Sequence, residues 1–64
     1  MNTSFHAAIR IDQKVPGRDW EAHSEVATFD PEMAKVSARN AADFVLENLA
    51  HAEPGTRVRI VIHS

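Results

Sequence analysis

From Phe5 to Val15 apolar and polar positions alternate. Phe5, Ala7, Ile9, Ile11 and Val15 fall on one side, and His6, Ala8, Arg10, Asp12 and Lys14 on the other. A period of two is the pattern of a half-buried strand. Val15-Pro16-Gly17-Arg18 follows, with Pro and Gly placed as a type II turn requires. A second alternating stretch begins at Trp20. It sets Trp20, Ala22, Ser24 and Val26 on one face and Glu21, His23 and Glu25 on the other. Phe29 falls out of phase, so the strand is predicted to end near Ala27 or to carry a bulge.

The period then changes. Asp30 is an N-cap residue, Pro31 suits the first helical turn and Glu32 meets the positive end of the helix dipole. Pro54 and Gly55 end what they begin, so a helix is expected from Pro31 to about His51 or Ala52. At about 100° per residue, Ala34, Ala38, Ala41, Val45 and Ala52 form its central apolar line. Leu49, Ala42 and Leu46 widen one flank, and Phe44 and Met33 the other. Arg39, Asp43 and Glu47 lie on the opposite side with Val36. Thr56 to His63 alternates again, with Val58, Ile60 and Ile62 inward and Arg57, Arg59, Val61 and His63 outward.

The order β-β-α-β, with no linker or repeat, makes residues 1–64 a single small domain. The expected fold is α+β: a three-stranded antiparallel sheet in order 2-1-3, one helix on one face, the other face open. In topology this resembles the small β-β-α-β modules of toxin–antitoxin and accessory proteins.

A register follows from a tight hairpin. Lys14 is expected opposite Asp19, so that His23 faces Arg10. On the other side Arg59 is expected beside Arg10, and Arg57 beside Asp12. Arg57, Asp12 and Glu21 then form a charge ladder, with Trp20 capping the core beneath the helix C-terminus. His6 and Arg10 are four residues apart, about 13 Å along a strand, too far for His6, His23 and His63 to share one metal. No metal or cofactor site is expected, although His6 and His63 are expected to be cross-strand neighbours.

Composition narrows the function. The chain has 64 residues, a formal charge of −2 and no Cys, so neither a disulfide nor a thiolate metal site can form. Burial of about 6,200 Å², about 60% of it apolar, returns about 93 kcal/mol against about 96 kcal/mol of ordering entropy. A chain so balanced is expected to lean on a second copy or a partner. No apolar run reaches membrane-spanning length, and Met1 to Arg10 lacks the pattern of a secretory leader. A cytoplasmic location is expected.

Enzyme chemistry is not expected. Both glycines, Gly17 and Gly55, follow Pro in turns, which leaves no phosphate-cradling loop. None of the serines sits beside a base on a plausible elbow. The chain is also short for a water-excluding pocket of about 300 Å³ or more.

The expected function is therefore that of a non-enzymatic protein-binding module, a small accessory regulator or inhibitor of a larger assembly. Many inhibitors that phages and mobile elements encode, anti-CRISPR proteins among them, act in this way. Arg10, Arg57 and Arg59 on the sheet, and Asp43 and Glu47 on the helix, are its expected partner-binding residues. Val58, Ile60 and Val61 lie on an unprotected edge strand and are the expected homodimer edge. The alternative is a nucleic-acid-binding protein that uses the open sheet face as a dimer.

Overall fold

The computed structural model describes residues 4–64; Met1 to Thr3, where the stretch read above for a leader begins, lie outside the described residues. Four elements follow in the expected order: β1 (Ala7–Lys14), β2 (Glu21–Thr28), α1 (Pro31–Leu49) and β3 (Arg57–His63). The sheet is antiparallel with strand order β2-β1-β3, so the fold is α+β as the periodicities predict. No described helix is long and apolar enough to cross a membrane.

Both turns form as their residues dictate. Arg18 N–H donates to the Val15 carbonyl at 3.0 Å, with Gly17 at φ +82°. Thr56 N–H donates to the Glu53 carbonyl at 3.0 Å, with Gly55 at φ +93°. These left-handed positions favour Gly because it has no Cβ to clash. The two turns also meet, since a Cβ on Gly55 would stand 3.2 Å from Pro16 Cγ.

At the head of α1 the Asp30 carboxylate accepts the Glu32 N–H at 3.0 Å, with Pro31 in the first turn. The helix ends earlier than expected, at Leu49. His51 and Ala52 continue it only as tighter i to i−3 bonds, to Asn48 and Leu49.

The expected registers are corrected on both sides of β1. Glu21 pairs with Gln13, because a loop over 15–20 replaces the tight hairpin and slips β2 by one residue. Inside that loop the Asp19 carboxylate accepts the Trp20 N–H at 2.7 Å. A bulge then shifts the register again. Asp12 pairs with Ala22 but Ile11 with Ser24, so His23 is the extra residue. A one-residue slip exchanges the faces of a strand. Ala22 therefore lies on the outer face with Asp12, while Ser24 and Val26 remain on the helix side opposite Ile11 and Ile9. On β3 the shift is by two residues, which preserves the faces: Arg59 stands opposite Asp12, Arg57 opposite Lys14 and His63 opposite Ala8.

The core is small. Ile9, Ile11 and Ala41 are buried together, with Ala34, Val45, Val58 and Ile60 packed partly against them. The helix covers the middle of the sheet and little more. Leu46 is 67% exposed, Ile62 58% and Phe29 77%.

The meeting of the two turns yields a test. Gly17→Ala meets no neighbour and is expected to cost the about 1–2 kcal/mol of a left-handed non-glycine residue. Gly55→Ala adds a clash with Pro16 and is expected to lower the melting temperature further than Gly17→Ala, as read by thermal denaturation.

Candidate functional site

The outer face of the sheet is organised by Asp12. Although this face has no helix over it, Asp12 is only 4% exposed. Its Oδ1 accepts from Arg10 Nε at 2.9 Å, and its Oδ2 accepts from Arg10 Nη2 at 3.1 Å and from Arg59 Nε at 2.9 Å. A carboxylate accepting charge-assisted bonds from two guanidiniums is strongly favoured in its ionised form. The hydrogen bond from Arg10, then that from Arg59, holds its carboxyl below the ordinary value of 3.8, against the desolvation that opposes ionisation. The same bond raises the pKa of Arg10.

Trp20 completes this cluster, and its place is a correction. It does not cap the core beneath α1. The slipped register puts it on the outer face, where Arg59 lies over its ring at 4.1 Å and Arg57 at 5.6 Å. Both distances fall within cation–π range. Further along, His63 Nε2 and Glu25 Oε2 stand 3.5 Å apart. They reach across β1 beside Ala8, which is itself buried.

The expected ladder of Arg57, Asp12 and Glu21 is thus replaced by Arg10, Asp12 and Arg59. Glu21 pairs with Arg18 at 3.4 Å and stands opposite Gln13. His6 and His63 are not paired across the strands: the His6 ring lies 5.1 Å from that of Phe29. Among the described residues no group of three or more His, Asp or Glu is placed to hold a metal ion.

The expected partner-binding residues do not form one surface. Arg10, Arg57 and Arg59 share the outer face of the sheet. Asp43 and Glu47 are exposed on α1, which packs on the other face. Of the three arginines, Arg10 and Arg59 are engaged by Asp12.

On the helix side the loose cover leaves an open groove between α1 and β2. Ile9, Ile11, Val26 and Phe44 supply its apolar surface, and Ser24, Ser37, Asn40 and His23 its polar margin. Its volume is about 390 Å³, larger than the sequence suggested, because α1 packs chiefly on β1 and leaves the residues of β2 exposed. The bulge turns His23 inward, with its ring 5.7 Å from that of Phe44. The residues that sequence reasoning missed are therefore Asp12 as the hub, Trp20 on the outer face and His23 in the groove. Phe29 falling out of phase was the one sign of irregularity, and it marks the strand end rather than the bulge.

A pH prediction follows from Asp12. Because its folded pKa is depressed, its contribution to stability is present above the unfolded value and is lost as pH falls through the folded value. Trp20 is the only Trp, so its fluorescence reports on the cluster. Emission is expected to hold steady down to about pH 4 and to change below it as Arg59 is released. In Asp12→Asn that acid step should be missing, and the neutral-pH spectrum should already be altered.

In comparisons with known protein families, with curated proteins and with solved structures, the chain has no match in any of the three.

Proposed function

We propose that this protein is a non-enzymatic protein-binding module, a small regulator or inhibitor that acts by occupying a site on a larger protein. The observation that carries this reading is the groove between α1 and β2. An apolar centre inside a polar, solvent-exposed margin is the anatomy of a protein interface. A groove of about 390 Å³ has room for a clustered apolar anchor from a partner, of the kind that dominates binding energy. Ser24, Ser37, Asn40 and His23 at its margin offer hydrogen-bonding groups to a partner's polar rim.

The outer face supports a partner less well. Asp12 offsets the charge of only one of the two guanidiniums it holds, but Arg10 and Arg59 are held in place by it and Arg59 is stacked on Trp20, so their donors are partly committed. The same stacking weakens the nucleic-acid alternative. Trp20 does supply the aromatic that a sheet-type binder uses, but Arg59 already occupies a face of its ring, where a base would stack.

The test is affinity capture from lysate of the source cell, with and without nuclease, using wild type and Phe44→Asp. Phe44 is 43% exposed, so the charge should be tolerated by the fold. A stoichiometric protein that survives nuclease and is lost on Phe44→Asp is the expected result, with affinity reduced at least tenfold. A partner lost with nuclease, and weakened instead by Arg57→Glu, would transfer the function to the outer face and to nucleic acid.

A further inference from the structure

We infer that a second copy of this chain pairs through β3, making a continuous six-stranded antiparallel sheet whose two helices lie on the same face. The pairing goes beyond the groove between α1 and β2 and uses the opposite side of α1, so either reading can fail without the other.

The free edges differ. The edge of β2 is interrupted by the bulge at His23 and carries Glu21 and Glu25. Bulges and charges of this kind hinder strand addition. The edge of β3 runs unbroken over Arg57–His63 with no Pro, Gly or bulge. Its arginines do not guard it, because Arg59 is drawn back over β1 by Asp12 and Trp20.

The side-chain pattern chooses a register. Opposed residues must share a face, so the twofold axis has to pass midway between the two copies of one β3 residue. Centred on Arg59, it would oppose two like charges, which is destabilising. Centred on Ile60, it overlaps the whole strand. Val58 of each copy then meets Ile62 of the other, Ile60 meets itself, and Arg59 stands opposite Val61. All three apolar pairs lie on the helix side, where Val58 and Ile60 already pack against the core.

This arrangement also covers what the single chain leaves bare. Beside β3 lies a groove of about 510 Å³, lined by Phe5, Ile9, Ala34, Ala38 and Ile62 among others. On the same flank of α1 the helical period places Ala42, Leu46 and Leu49. In the dimer the two flanks face each other across the paired strands and form the walls of one shared apolar trough. The trough would cover Leu46, which is 67% exposed, and Ile62, which is 58% exposed.

Analytical ultracentrifugation of wild type, Leu46→Glu and Val26→Glu tests the inference. Wild type is expected at twice 7.1 kDa, Leu46→Glu at the monomer mass with unchanged helical circular dichroism, and Val26→Glu, on the β2 side, still as a dimer. A wild type that remains monomeric at all concentrations, or a dimer that Leu46→Glu leaves intact, overturns the pairing. Should Leu46→Glu unfold, Ile60→Cys in this otherwise cysteine-free chain decides. A disulfide-linked dimer under mild oxidation supports the Ile60 axis, and a persistent monomeric thiol overturns it.

Discussion

A carboxylate on the middle strand, buried without a helix above it, constrains the rest of this structure. Charge removed from water is costly unless it is paired and hydrogen-bonded. Asp12 meets that requirement by drawing Arg10 along its own strand and Arg59 across the sheet. The second bond fixes which residue of β3 stands opposite Asp12. With that pair set, Val58, Ile60 and Ile62 fall on the helix side and the turn at Gly55 closes against Pro16. Arg59 in turn lies over the Trp20 ring, 4.1 Å from its centre. The outer face is therefore a constructed surface rather than an exposed sheet.

How far the sequence revealed this can be judged residue by residue. Alternation at Phe5–Val15 and Arg57–His63, and the cap Asp30-Pro31-Glu32, gave the elements and their order, because each is a local signal. The faces of β1 and β3 were legible for the same reason. Register was not. It depends on loop length and on a bulge, and nothing in Glu21-Ala22-His23-Ser24 marks which residue will be left unpaired. That single insertion sends Trp20 and Ala22 to one face and Ser24 and Val26 to the other. Arg10, Arg57 and Arg59 fall on one face as alternation predicts, but the bond from Arg59 to Asp12 rests on a two-residue shift that alternation cannot detect. Asp43 and Glu47 were legible as solvent-exposed and share no surface with the arginines.

The helix explains why the chain has surface to offer. Alanines along its central line bring it onto Ile9 and Ile11, yet one helix is too narrow to span three strands. Apolar side chains at both flanks, Phe44 toward β2 and Leu46 toward β3, reach past the sheet area that α1 covers. Two grooves result, each with an apolar surface and an exposed strand at its border. A domain with this geometry has its binding surfaces built from unfinished core rather than from added loops.

The bond between Asp12 and Arg59 joins residues separated by 47 positions, and this bears on how the chain reaches its fold. Contacts of such separation form late, because the loop must close before they return anything. Until β3 arrives, β1 and β2 are a lone two-stranded hairpin, which is marginal in water. Asp12 would meanwhile hold only its neighbour Arg10. Docking of the last strand is thus the step that completes the ion cluster, the core and the contact of the two turns together. Folding is expected to be cooperative and slower than the short chain alone would suggest, with its barrier set by the arrival of β3.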